Sequence, residues 1–180
     1  RSTGFECKGK TICILGLGSI GKVVARCAQG FGMTVCAYDP YINAAYCEEN
    51  EIENVSFEEG IQKADVISLH LPLMDSTKHL IDGDAIAKMK DGVVIINTSR
   101  GGIIDEDAAC EALKSGKIGG LGLDAFEQEP PKDSPLFAFD NVVATPHTGA
   151  HTAEATNNMA ALSVQNLIDV LEGKACKFIL

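Results

Sequence analysis

Apolar residues in this chain come in short unbroken runs rather than in alternation with polar ones. TICIL (11–15), TVCAY (34–38), DVISL (65–69), VVIIN (93–97), GGLGLD (119–124) and NVVAT (141–145) carry this pattern, and NVSF (54–57) is a weaker example. A run that is apolar at nearly every position predicts a strand buried on both faces, as in a parallel sheet. Between the runs the sequence predicts helices from about Ser19 to Gln29, Phe57 to Ala64, Asp84 to Met89 and Asp105 to Ser115. A longer closing helix is expected from Thr152 to Glu172. Gly30 and Gly32 are stop signals for the first helix and Gly173 for the last. Strand and helix alternate along the chain, which predicts an α/β fold: one doubly wound parallel sheet in a single domain over residues 1–180.

One turn gives that sheet a chemical purpose. Gly16-Leu17-Gly18-Ser19-Ile20-Gly21 is a G-x-G-x-x-G placed between the strand TICIL and the first helix. The first glycine permits the tight turn, the second lets a pyrophosphate approach the backbone, and the third lets helix and strand pack closely. The helix N-terminus then offers free N–H groups and a partial positive charge to phosphates. The next strand ends at Asp39, close to the spacing of roughly 20 residues at which an acidic residue meets the adenosine ribose in such folds. A carboxylate there accepts from ribose hydroxyls and repels a 2′-phosphate, so NAD is expected over NADP. Asp39 before Pro40 also reads as an ordinary turn pair. The order strand, turn, helix, Asp favours the dinucleotide.

Composition narrows the field further. Apolar residues make up 46% and charged residues 22% of the 180, which places the chain among ordinary globular domains. The net charge of −10 argues against nucleic acid or an anionic membrane as partner. No apolar run is long enough to span a bilayer, and the start at Arg1 lacks the apolar stretch of a signal peptide. The seven cysteines form no C-x-x-C pair. They are expected to be reduced, buried thiols of a cytoplasmic protein, with no metal site.

Three further segments follow strands: Asn97-Thr98-Ser99-Arg100-Gly101-Gly102, the stretch 124–130 (DAFEQEP), and Thr145-Pro146-His147-Thr148-Gly149-Ala150. Together with GLGSIG, YDPY and SLHLPL (68–73), they resemble the signature segments of the D-isomer-specific 2-hydroxyacid dehydrogenases, over about Lys10 to Gly173. The resemblance implies an NAD-dependent oxidoreductase that moves a hydride between the nicotinamide and a D-2-hydroxy acid or 2-oxo acid. It implies three catalytic residues, Arg100, Glu129 and His147. Elementary chemistry suits those roles. An arginine fork binds a carboxylate and polarises the adjacent carbonyl, a histidine delivers a proton near neutral pH, and a carboxylate orients the imidazole and favours its charged form. Taken singly, each of the three also fits a plain loop residue.

The same resemblance implies a cofactor cleft. Gly16, Gly18, Ser19, Ile20 and Gly21 are expected at the phosphates, and Asp39 and Pro40 at the ribose. His70, Pro72, Thr98, Ser99, Arg100, Asp124, His147 and Gly149 are expected to line the rest. His79 is expected at the surface and His151 at the start of the last helix, neither with a catalytic part. Formate dehydrogenases of similar fold carry glutamine where this chain has Glu129, so the glutamate favours hydroxy-acid chemistry. The resemblance further implies a homodimer. It implies a substrate-binding domain preceding the cofactor domain; that segment is absent from this chain, which is expected to be either an excised domain, the favoured reading, with little activity alone, or a naturally shortened protein with altered function. Corepressor scaffolds that respond to NAD resemble the same fold and form the alternative.

Overall fold

TICIL, TVCAY and VVIIN become strands over the predicted residues: β1 (Thr11–Leu15), β2 (Thr34–Tyr38) and, later in the chain, β5 (Val93–Asn97). The others are β3 (Glu53–Asn54), β4 (Val66–Leu69), β6 (Ile118–Leu123) and β7 (Val142–Ala144). In this computed structural model, which describes residues 4–176, they form one seven-stranded sheet in the order β3-β2-β1-β4-β5-β6-β7. Every pairing is parallel. β1 is flanked by β2 and β4, with Ile12 opposite both Val35 and Val66. The chain therefore winds outward in both directions from β1, as predicted. Such a reversal opens a crevice at the carboxyl ends of β1 and β4, where ligands of open α/β sheets bind.

The helices are α1 (Ser19–Gly30), α2 (Ala44–Glu49), α3 (Phe57–Lys63), α4 (Gly83–Lys88), α5 (Glu106–Ser115) and α6 (Ala153–Leu171). Local signals fix their starts. Ser56 accepts from the Glu59 N–H at 3.2 Å while the Glu59 carboxylate accepts from the Ser56 N–H at 2.9 Å, a reciprocal capping box. Asp82, Asp105 and Thr152 cap α4, α5 and α6 through the amides of Ala85, Ala108 and Ala155. The helix α2 and a short 3₁₀ turn at Pro135–Ala138 were not expected from the apolar pattern.

Two apolar clusters sandwich the sheet. One gathers Leu15, Ile67, Leu69 and Ile95 with residues of α3, α4 and α5. The other packs Ile12, Ile14, Val35 and Ala37 against Ala25 and Ala28 of α1. Every residue of β4 is buried, which is why these strands read as continuous apolar runs. Of the cysteines, Cys13, Cys36, Cys47 and Cys110 are buried, but Cys7 and Cys27 are exposed. This corrects the expectation of uniformly buried thiols: Cys7 precedes β1, and Cys27 lies on the outward side of α1.

The chain divides into two compact units, Arg1–Pro146 and His147–Leu180. The sheet lies in the first. The second contains α6, no residue of which is buried. Among the described residues no helix is long and apolar enough to cross a membrane.

Candidate functional site

The glycine turn closes as its sequence demands. The Gly16 N–H donates to the Tyr38 carbonyl at 2.8 Å, joining the end of β1 to the end of β2. A Cβ on Gly21 would lie 2.1 Å from the Gly16 carbonyl oxygen, and one on Gly16, at φ +100°, would meet the His70 carbonyl at 2.7 Å. Only glycine permits this approach of turn, helix and β4 end. Gly18 begins α1 without a side-chain cap, and Ser19 and Ile20 are exposed at that first turn. Amides at an uncapped helix start suit a phosphate. The backbone here fits a dinucleotide.

Asp39 combines both of its sequence readings. One carboxylate oxygen accepts from the Leu17 N–H inside the glycine turn at 2.8 Å, and the other from the Tyr41 N–H at 2.8 Å. The second contact is the turn role; the first fixes the carboxylate beside the cradle. Each oxygen has lone-pair capacity left for a ribose hydroxyl. Pro40 follows, exposed. On the other side of β1, the His70 N–H donates to the Leu15 carbonyl at 2.7 Å. The His70 Nε2 lies 2.9 Å from the Ser68 hydroxyl. Burial pushes the imidazole pKa down from its ordinary value, which favours the neutral ring. Pro72, two residues on, is exposed.

The turn after β5 is organised by a residue that sequence reasoning quoted but gave no role. Asn97 is buried, and its side-chain oxygen accepts from the Ser99 N–H at 3.0 Å and the Ser99 hydroxyl at 2.8 Å. Its amide donates to the Arg100 carbonyl at 2.8 Å. One amide thus sets the path of Thr98, Ser99 and Arg100. The signal was a polar side chain ending an apolar strand, where a buried amide must find partners. Arg100 is exposed, with Nη1 donating to the Ser99 carbonyl at 2.8 Å.

The Arg100 turn and the Glu129 loop touch. A Cβ on Gly101 would fall 1.8 Å from the Phe126 carbonyl oxygen, so no other residue fits between them. Glu129 accepts from the Phe126 N–H at 3.1 Å, which folds its carboxylate back over the loop. At the end of β6, buried Asp124 accepts from the Thr145 hydroxyl, tying the residue after β6 to the residue after β7. His147, Thr148 and Gly149 open the second unit. His147 has a left-handed backbone, φ +54°, and the His151 N–H donates to the Thr148 carbonyl at 2.9 Å. The structure thus brings the glycine turn, Asp39 and His70 together at the switch point, and Arg100 and Glu129 onto adjoining loops; His147 and Gly149 belong to the other unit.

Comparison with known proteins agrees with this geometry. Residues 1–149 match the family model described as D-isomer specific 2-hydroxyacid dehydrogenase, NAD binding domain. The chain is 46% identical over 175 residues to a D-3-phosphoglycerate dehydrogenase of Methanocaldococcus jannaschii, covering 97% of this chain and 33% of that one. It is 47% identical over 171 residues to a hydroxypyruvate reductase of Thermotoga maritima, covering 93% of this chain and 55% of that one. The solved structure of a glyoxylate reductase from Paecilomyes thermophila superposes with a TM-score of 0.92 at 41% identity, covering 97% of this chain and 53% of that one. The chain therefore spans between a third and about half the length of these proteins.

Proposed function

The chain belongs to the D-isomer-specific 2-hydroxyacid dehydrogenase family as its NAD-binding domain, and from this we propose that it serves an enzyme interconverting a 2-oxo acid and a D-2-hydroxy acid. The observation that carries the reading is the close seating of the Arg100 turn on the Glu129 loop through Gly101. That packing keeps Arg100 and Glu129 on neighbouring loops at the carboxyl edge of the sheet, which supports reading them as the cation for the substrate carboxylate and the carboxylate of the relay.

Bound NAD(H) supplies or accepts the hydride. The glycine turn holds the phosphates with backbone amides, and Asp39 holds the adenosine ribose. Arg100 binds the substrate carboxylate and polarises the carbonyl oxygen, stabilising charge that grows there as the carbon is reduced. On this reading His147 gives its proton to that oxygen, with Glu129 as the carboxylate of the relay. In the oxidative direction His147 takes the hydroxyl proton. The protein works as a homodimer in the cytoplasm on this reading, with its remaining substrate contacts supplied from outside these 180 residues.

The test uses the protein at its natural length, with NADH and the oxo acids glyoxylate and hydroxypyruvate. His147→Ala is expected to lower kcat by roughly 10²–10⁴-fold, the usual worth of a positioned acid. Glu129→Gln should also lower kcat, and Arg100→Ala should damage kcat and KM together. Near-normal turnover by His147→Ala would refute the relay. NADH binding with no oxidation of any 2-oxo acid would favour the scaffold alternative.

A further inference from the structure

His79 lies in the segment between β4 and α4, far from the glycine turn in sequence, and it touches both loops of the candidate active site. Its backbone is left-handed, φ +50°, an uncommon state for a residue with a Cβ. It is held there because its N–H donates to the Gly102 carbonyl at 2.8 Å. Ile81 continues the contact: its N–H donates to the Ile103 carbonyl at 3.1 Å, and its carbonyl accepts from the Asp105 N–H at 3.0 Å. The segment therefore runs as a short parallel ladder along the continuation of the Arg100 turn.

The ring of His79 reaches the other loop. Its Nε2 lies 3.1 Å from a Glu127 carboxylate oxygen, and its Nδ1 lies 3.8 Å from Asp105. Glu127 is also tied to the start of α5. Its N–H donates to the Glu106 carboxylate at 2.8 Å, and its own carboxylate accepts from the Glu106 N–H at 3.4 Å. Burial pushes the Glu106 carboxyl above its usual range, and the nearby Glu127 charge adds to that rise. Two carboxylates, Asp105 and Glu127, thus flank one imidazole, and Glu106 is joined to Glu127. Two residues beyond Glu127, Glu129 is anchored on the Phe126 N–H, whose own carbonyl abuts Gly101.

We infer that His79 is a positioning residue for the reaction proposed above, a latch that holds the loop carrying Glu129 against the turn carrying Arg100. The inference rests on that reading for its chemistry, but the latch itself is a property of the fold. Without a donor between Glu127 and Asp105, like charges push loop 126–129 outward, and the Glu129 anchor moves with it. His79 and Glu127 are both more than a third exposed, and pairs so exposed add little to global stability. The consequence of the contact is placement.

The test compares His79→Asn and His79→Gln in the protein at its natural length. Asparagine tolerates the left-handed backbone but is too short to reach Glu127; glutamine restores reach and donor. In His79→Asn, amide exchange at Phe126 and Glu127 is expected to quicken by about tenfold or more through local opening, with β1 and β5 amides unchanged. Turnover of glyoxylate or hydroxypyruvate should fall by roughly 10-fold through misplacement of the carboxylate, NADH affinity should hold, and His79→Gln should restore both readouts. Unchanged exchange at Phe126 and Glu127, exchange quickened throughout the sheet, or quickened loop exchange with unaltered kcat would each overturn the inference. If exchange responds locally and is restored by glutamine, yet the unaltered protein oxidises no NADH, the latch stands and the dehydrogenase reading falls.

Discussion

Both oxygens of Asp39 accept backbone N–H groups, one from Leu17 within the glycine turn and one from Tyr41. The carboxylate is therefore fixed beside the glycine turn, where the proposed function places the adenosine ribose. A 2′-phosphate brought to that place meets a rigid anion in a partly desolvated cleft, at a cost of about 2 kcal/mol. NAD(H) should consequently bind at least roughly 30-fold more tightly than NADP(H). Asp39→Asn should erase most of that preference. It should also weaken NAD(H), because an amide presents only one acceptor oxygen to two N–H groups, so the turn at Leu17 loosens. Titration of both cofactors against the unaltered chain and the variant checks this. Equal affinities in the unaltered chain would mean that Asp39 serves the turn alone.

At the scale of elements, the starts of β1 and β4 and the segment before β5 meet on one side chain, Asp65. It accepts from the Thr11 N–H at 2.8 Å and pairs with the Lys90 ammonium at 3.0 Å. Burial pushes the carboxyl up, but the Thr11 N–H and Lys90 together outweigh it, and the net direction is down. A carboxyl whose folded pKa lies below its unfolded value, near 3.9, contributes stability that is present above that value. The contribution is lost as pH falls through the folded pKa. Asp65→Asn should therefore cost about 1 kcal/mol at pH 7. The gap between the two proteins should close in acid, below about pH 4. Thermal denaturation across pH reads both effects; a gap that persists unchanged at pH 2 would assign the loss to packing.

The same scale explains what the sequence disclosed. β1, β2 and β5 were legible residue for residue because burial on both faces leaves little room for polar side chains. α2 was not, since six residues make under two turns and its start is marked only by the Asn43 cap. β3 is two residues long, held by its neighbour Ala37 rather than by its own pattern. In the candidate site, the glycine turn and Asp39 were legible because a local run of chain dictates their geometry. The support of Arg100 by Asn97 needed the folded turn. The bridge from His79 to Glu127 spans 48 positions, and no local pattern announces a contact of that kind.

At the scale of the whole molecule, cofactor binding and turnover make different demands on these 180 residues. The sheet, both apolar clusters, the glycine turn and Asp39 all lie within Arg1–Pro146, so the core and the glycine turn draw on contacts internal to that unit. Turnover requires a substrate held against the nicotinamide, and such positioning accounts for about 7–11 kcal/mol of a barrier. Arg100 is exposed, where water competes for the guanidinium and weakens its hold on a carboxylate. The relatives are between about 1.8 and 3 times the length spanned here, at 55% and 33% coverage, and on the proposed reading their additional chain closes over the substrate and excludes water. The isolated 180-residue chain is therefore expected to bind NADH tightly while oxidising it with glyoxylate or hydroxypyruvate slowly or not at all. Fluorescence titration of NADH and an oxidation assay on one preparation check the two halves together. Oxidation at an ordinary rate of about 10 s⁻¹ would show that this chain alone builds a closed substrate site. Absence of NADH binding would show that the first unit needs contacts from beyond it to form the cradle.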